Sequence, residues 1–179
     1  MLSGPSGVGK TTVARKLCER PGFTKIVTAT TRLPRGSEVD GKDYRFFSRD
    51  AFEAGIKRGE FLEYAEIFGN LYGTPRKAID EALATGKRVV VDIDSQGARS
   101  VKALGYPAVF LFIAPPSLEE LRKRLEGRKT EESGVMERRL AAAKAEMDQI
   151  GLYDAVIVNE TVDGSLEAIM KELKKRKVL

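Results

Sequence analysis

Short apolar runs alternate along this chain with longer stretches whose apolar residues fall three or four positions apart. The runs Ile26-Val-Thr-Ala29, Arg88-Val-Val-Val-Asp92, Ala108-Val-Phe-Leu-Phe-Ile113 and Ala155-Val-Ile-Val158 read as strands. The near-continuous apolar character of the last three is that of strands buried on both faces. Helical spacing predicts helices over roughly 75–86, 95–104, 117–127, 134–149 and 163–176, and another after residue 11, where Val13 and Leu17 lie four apart. Ser117 followed three residues later by Glu120 is a capping box that marks one helix start. This alternation predicts an α/β fold, a parallel sheet with helices on both faces.

Two segments interrupt the pattern. In residues 32–74 Gly, Pro and charged residues dominate, and Tyr44-Arg-Phe-Phe47 and Phe61-Leu-Glu-Tyr64 suggest short strands. Gly69-Asn70 is a turn signal between Ile67-Phe68 and Leu71-Tyr72, so the segment reads as a small β-rich insertion. The second segment, Glu126-Gly-Arg-Lys-Thr-Glu-Glu-Ser-Gly134, is charged, carries two glycines and reads as a mobile lid between helices.

At 179 residues, with 42% hydrophobic and 32% charged content, the chain is one globular domain by length and composition. No apolar run reaches membrane-spanning length and no signal-peptide core is present, so a cytoplasmic protein is expected. The single cysteine, Cys18, excludes an internal disulfide and reads as a small helix side chain. The absence of histidine removes Ser-His triads and His-ligated zinc, leaving chemistry run by Lys, Arg, carboxylates and Mg²⁺. Phosphoryl transfer suits that inventory, because there the protein mainly positions groups and neutralises charge. The net charge of +5 fits nucleic acid or small phosphate-rich ligands. The basic tail 171–177 has no interleaved aromatic residues, which argues for a solvated helix face over a nucleic-acid platform.

Residues 4–11, Gly-Pro-Ser-Gly-Val-Gly-Lys-Thr, match the phosphate-binding loop pattern G-x-x-x-x-G-K-[ST]. Gly4, Gly7 and Gly9 permit turns that aim backbone N–H groups at phosphate oxygens. Lys10 brings charge to the transferring phosphate, the Thr11 hydroxyl suits Mg²⁺, and the helix that starts here adds its positive end. Only Met1-Leu2-Ser3 precede the loop, a short lead-in for the buried strand expected there. Further on, Arg32 and Arg35 flank Pro34 after the second strand; such a pair fits a forked grip on one phosphate or a solvated surface loop. Asp92 and Asp94 close an apolar strand, where a carboxylate is costly unless it meets Mg²⁺ or another cation.

Several longer words occur in order: Ser3-Gly-Pro-Ser-Gly-Val-Gly-Lys-Thr11, Thr30-Thr-Arg-Leu-Pro-Arg35, Gly36-Ser-Glu-Val-Asp-Gly-Lys-Asp-Tyr44, Glu60-Phe-Leu-Glu-Tyr64, Gly69-Asn-Leu-Tyr-Gly-Thr74, Asp92-Ile-Asp-Ser-Gln-Gly97, Ile113-Ala-Pro-Pro-Ser117 and Arg124-Leu-Glu-Gly-Arg128. With these the chain resembles the guanylate kinases from Leu2 to its last helix. The resemblance implies a P-loop NTPase fold with a core of 1–31, 75–125 and 139–179, a GMP-binding subdomain at 32–74 and a lid at 126–138. It implies the reaction ATP + GMP ⇌ ADP + GDP with Mg²⁺, dGMP as a second acceptor, a monomer or simple homodimer, and no nucleic-acid or membrane partner. Carried over by position, Gly4, Pro5, Ser6, Gly7, Val8, Gly9, Lys10, Thr11 and Thr12 would bind ATP, with Asn159 near the adenine. Arg32, Arg35, Tyr44 and Tyr72 would hold the GMP phosphate. Glu63 would accept from guanine N1–H and the 2-amino group, with Thr28 and Thr74 beside the base. Thr11 and Asp92 would serve Mg²⁺, and Asp94 the acceptor side. Lys10, Arg35, Arg124, Arg128 and Arg139 would carry catalysis.

This sequence departs from the family at Lys129, where glycine is usual, and at Thr28 and Thr74, where serine is usual. Family members also carry more apolar residues before the matching Leu2, so Met1 falls inside the first strand. Two alternatives remain. Guanylate-kinase-like domains of scaffold proteins bind peptides without catalysis, but here Lys10, Thr11, Arg35, Glu63, Arg124 and Arg128 are all present. A kinase for another base is disfavoured by Glu63 with Thr74.

Overall fold

The computed structural model describes residues 1–126 and 133–179. They fall into two compact units, Met1–Leu17 with Ala108–Leu179, and Cys18–Pro107.

The first unit is built on a parallel three-stranded sheet in the order β1 (Leu2–Ser3), β8 (Leu111–Ala114), β9 (Ala155–Val158). Every residue of β8 is buried, which explains its unbroken apolar sequence. Short as it is, β1 pairs Leu2 with Leu111 and Ser3 with Phe112, and Met1 adds flanking bonds to Val109 and Leu111. β9 departs from the expectation of burial on both faces. It lies at the sheet edge, and only Ile157 is buried while Val156 and Val158 are exposed. Helix α1 (Lys10–Cys18) buries Val13, Ala14 and Leu17, its four-residue apolar spacing. Helices α5 (Leu118–Glu126) and α6 (Ser133–Met147) pack together, and α7 (Val162–Lys175) packs on β9. The Ser117 hydroxyl accepts from Glu120 N–H, as a capping box requires, but the Glu120 carboxylate turns to Arg124 instead of closing the box.

The second unit holds a parallel pair, β2 (Phe23–Lys25) and β7 (Arg88–Val90), and a four-stranded sheet ordered β4 (Arg45–Phe46), β3 (Ala29–Thr30), β6 (Asn70–Pro75), β5 (Phe61–Ile67). The expected strand at 26–29 is split. Ile26 still donates to Val90, but the ladder then passes to the second sheet at Ala29. Helices α3 (Arg76–Ala84) and α4 (Ser95–Ala103) fall where the spacing put them.

The insertion is not purely β. It contains a nine-residue helix, α2 (Arg49–Lys57), capped by the Ser48 side chain on Ala51 N–H at 3.2 Å. Phe52 and Ile56, four apart, turn its apolar stripe toward Phe61, Leu71 and Ala29, and the Phe52 and Phe61 rings stack at 4.3 Å. The hairpin turn also sits one residue earlier than the Gly-Asn signal suggests. Phe68 (φ 48°) and Gly69 (φ 78°) are its central residues, and Ile67 pairs with Asn70. Two left-handed residues match the twist of a two-residue hairpin, a position that favours Asn or Gly over an aromatic side chain. Phe68→Asn is therefore expected to stabilise the chain by about 0.5–1 kcal/mol in urea denaturation. A loss of stability would mean that packing of the Phe68 ring outweighs its backbone strain.

Candidate active site

In the first unit, the chain leaves β1 and turns through residues 4–9 into α1. Gly4, Gly7 and Gly9 all have positive φ, at 135°, 88° and 97°. A Cβ on Gly4 would collide with the Ile113 carbonyl, and one on Gly7 would come within 2.6 Å of Leu125. The loop is thus pressed between β8 and α5, and only glycine permits both the turn and the approach. The Lys10 ammonium donates to the carbonyls of Gly4 (2.6 Å) and Pro5 (3.0 Å), which folds the side chain back over the loop. Pro5 and Val8 are buried, Ser6, Thr11 and Thr12 exposed. The Tyr153 hydroxyl donates to Ser3 at 3.1 Å just before the loop, and Arg139 reaches from α6 to the Ser6 hydroxyl at 3.4 Å. Arg124 is held by Glu120 on its own helix, while Arg128 and Lys129 lie outside the described residues. Of the expected lid, Glu126 ends α5 and residues 133–138 begin α6.

In the second unit, strand register gathers the expected acceptor residues. Thr30 pairs with Tyr72 across β3 and β6, and Glu63 pairs with Thr74 across β5 and β6. Directly paired residues share a face, as do residues two apart on one strand. Tyr72, Thr74, Thr30 and Glu63 therefore lie on one face, with Phe46 of β4 beside Thr30, while the α2 cluster covers the other. Tyr44 joins the polar face, 6.2 Å from the Tyr72 ring. Burial and the nearby Asp92 carboxylate raise the Tyr44 phenol pKa, so it stays a hydrogen-bond donor. Thr28 is buried and its carbonyl accepts from Arg45. The Arg32 guanidinium stacks 5.3 Å over Tyr44 and binds Glu38 at 2.9 Å. Glu38 also accepts from the Arg35 N–H at 2.7 Å, and the Arg35 side chain is exposed. An anion thus already bridges the two arginine positions, a contact the sequence reading missed.

Glu63 is the most perturbed carboxylate of this face. It is 6% exposed and its Oε1 accepts from the Thr74 hydroxyl at 2.5 Å. Burial pushes its pKa up to about 7; the Thr74 bond opposes this and the Asp94 carboxylate adds to it. Asp94 itself caps α4, accepting from Gln96 and Gly97 N–H at 2.6 and 2.9 Å. Gly97 sits against the Glu63 carboxylate so closely that a Cβ would collide with it. Read from sequence, Gly97 was only a letter in a motif; its signal is a glycine inside the first turn of a helix, where glycine is otherwise unfavourable.

Of the oxygen donors expected to serve a metal, Thr11 is exposed as the second residue of α1 in the first unit, and Asp92 is half-buried after β7 in the second. Among the described residues no cluster of three or more His, Cys, Asp or Glu could hold a metal alone. Hard oxygen donors in such small number fit Mg²⁺, which keeps waters and takes most of its ligands from phosphate.

A glycine-lined phosphate loop leading from a strand of a parallel sheet into a helix defines a P-loop NTPase fold, and the whole-chain comparisons agree. A shikimate kinase structure from Bacteroides thetaiotaomicron matches the fold over 97% of this chain and 96% of its own, with a TM-score of 0.51 at 15% identity. The family model for guanylate kinase matches residues 1–176, and the chain belongs to that family. The guanylate kinase of Clostridioides difficile (strain 630) is 46% identical over 94% of this chain and 83% of its own length. That of Rhodococcus jostii (strain RHA1) is 49% identical over 97% and 85%. A solved guanylate kinase from Anaplasma phagocytophilum superposes with a TM-score of 0.80 at 38% identity, covering 98% of this chain and 83% of that one.

The raised Glu63 pKa makes a signed prediction. The folded chain holds this proton more tightly than the unfolded chain, so its contribution to stability is fully present below 4.5 and is lost as pH rises through about 7. The unliganded wild type should lose on the order of 2–3 kcal/mol from this group between pH 4.5 and 8. Urea titrations of Glu63→Gln should lack that component; an unchanged pH slope would place the proton elsewhere.

Proposed function

We infer that this chain transfers the γ-phosphoryl group of ATP to GMP, forming ADP and GDP, and that dGMP is a second acceptor. The observation that carries this reading is the polar sheet face. A buried carboxylate at Glu63, backed by Thr74, shares it with Tyr44 and Tyr72, the latter two next to Arg32. Ionised Glu63 accepts from guanine N1–H and the 2-amino group, whereas adenine offers no N1 hydrogen. An unsuited base leaves the buried carboxylate unpaired, which is the costly outcome that creates selectivity. Thr74 orients Glu63, and Thr74 and Thr28 contact the base.

Arg32, Arg35, Tyr44 and Tyr72 hold the acceptor phosphate, with Arg32 exchanging its internal partner Glu38 for it. Residues 4–12 hold the donor's phosphates through backbone N–H groups, and Lys10 leaves the Gly4 and Pro5 carbonyls to neutralise the phosphoryl in transfer. A GMP phosphate oxygen forms the new P–O bond as the bond from Pγ to the ADP oxygen breaks. Arg124, Arg128 and Arg139 offset the charge that develops. Thr11 and Asp92 would each offer an oxygen to Mg²⁺, which, when bound, would screen the phosphate charge. On this reading residues 32–74 form the acceptor subdomain and 126–138 the lid of a cytoplasmic enzyme, monomeric or simply dimeric.

An assay of ADP formation with GMP, dGMP, AMP, UMP and CMP tests the reading. Turnover is expected with the two guanine nucleotides alone, and none with any acceptor would favour a non-catalytic interaction domain. KM for GMP should fall as pH rises through about 7, where Glu63 ionises. Glu63→Gln should cut the preference for GMP over AMP by about 10² or more while leaving the fold intact. Lys10→Ala should lower kcat by about 10² or more and spare GMP affinity; parallel losses would contradict this division of labour.

A further inference from the structure

Asn159 directly follows β9, with its backbone N–H on the Ala114 carbonyl at 2.8 Å. Its side chain is 5% exposed, and both ends of the amide are engaged. Nδ2 donates to the Val8 carbonyl inside the phosphate loop at 2.7 Å, and Oδ1 accepts from the Ser165 hydroxyl at 2.8 Å. Ser165 is 1% exposed in the first turn of α7, where the Thr161 cap accepts from Gly164 N–H at 3.1 Å. The orientation of the amide is fixed by chemistry. A carbonyl only accepts, so the group facing Val8 must be the NH₂, and the Ser165 hydroxyl adapts as donor.

The consequence for the loop follows from peptide geometry. No peptide bond among the described residues is cis, so across the Val8–Gly9 bond the C=O and N–H point in opposite directions. Tying the Val8 carbonyl to Asn159 aims the Gly9 N–H the other way and keeps the carbonyl from turning toward an incoming anion. Gly9 also leaves no slack: its φ is 97°, and a Cβ there would stand 2.7 Å from Asn159 Nδ2. The amide is packed directly against the peptide it orients.

We propose that Asn159 and Ser165 are positioning residues of the donor site, a relay from the first turn of α7 through a buried amide to the Val8–Gly9 peptide, and that Asn159 acts on the donor's phosphates through the loop and not by reading the adenine. The proposal rests on the assignment of residues 4–12 as the donor site and assigns a different job to the residue expected beside the base.

The test compares ATP with inorganic tripolyphosphate, both with Mg²⁺, by calorimetric titration of wild type, Asn159→Ala, Asn159→Asp and Ser165→Ala, with GMP as a control ligand. Asn159→Ala is expected to weaken ATP and tripolyphosphate by the same factor, about tenfold, and leave GMP affinity unchanged. Asn159→Asp should be worse, because a carboxylate oxygen would face the Val8 carbonyl. Ser165→Ala, which keeps the amide's bond to Val8, should cost about two- to threefold for both donor ligands. In steady-state assays the loss should appear in KM for ATP and not in KM for GMP. Should Asn159→Ala fail to fold, equal small losses in Ser165→Ala still support the relay, and no loss there overturns it. Weakened ATP with unchanged tripolyphosphate would overturn the proposal in favour of adenine reading. Failure of the wild type to bind tripolyphosphate at all would overturn the donor-site assignment and the relay together.

Discussion

A phosphate-binding loop works only if its N–H groups are left unspent inside while its carbonyls are satisfied outside. Backbone polar groups rarely go unpaired, so the protein has to supply partners for the carbonyls and deny the loop any regular structure. Here the Gly4 and Pro5 carbonyls take the Lys10 ammonium, the Val8 carbonyl takes Asn159, and the Gly9 carbonyl starts α1 by accepting from Val13. Buried strand β8 and the Leu121 and Leu125 side chains of α5 close around the glycines. Much of the first unit can be understood as the frame that keeps this short stretch of backbone from relaxing.

The second unit meets a different constraint, a carboxylate kept nearly dry. Its hairpin and its helix α2 spend their apolar residues on one sheet face, which leaves the other for Glu63, Thr74, Tyr72 and Tyr44. Gly97 brings the first turn of α4 against Glu63, and Asp94, by capping that turn, puts a second negative charge nearby. The same arrangement that excludes water raises the cost of ionising Glu63. Perturbed acidity, and the base selectivity proposed for Glu63, are thus two results of one act of packing.

What could be read from the sequence divides along the same physical lines. Buried parallel strands and long amphipathic helices follow from local periodicity, and the positions of β8, α3, α4, α5 and α7 were legible that way. The phosphate loop was legible because its glycines, lysine and threonine are contiguous. Helix α2 was hidden because its two apolar anchors, Phe52 and Ile56, sit in a charged segment and are matched only by Phe61 and Leu71 from later strands. The turn at Phe68-Gly69 was displaced because the sheet register, not the Gly-Asn dipeptide, decides which residues adopt positive φ. Asn159's place under Val8 is 151 residues away in sequence. No local pattern reports such a contact, and an asparagine after a strand reads equally well as a cap, a turn or a ligand.

The two units also differ in what ligand binding must overcome. At the phosphate loop the frame is already assembled, and the internal bonds to be exchanged are those of Lys10 to two carbonyls, weak neutral acceptors compared with a triphosphate. At the acceptor face proposed here the exchange is dearer: on that reading Arg32 gives up the carboxylate of Glu38, and Glu63 sheds a proton at pH below about 7. A ligand that supplies a phosphate for the first and two N–H donors for the second offsets both costs. One that supplies only the phosphate leaves the second uncompensated. On the proposed reading, discrimination among nucleoside monophosphates rests on two internal costs, an Arg32–Glu38 ion pair to be broken and a Glu63 proton to be shed, each offset by a different end of the same molecule.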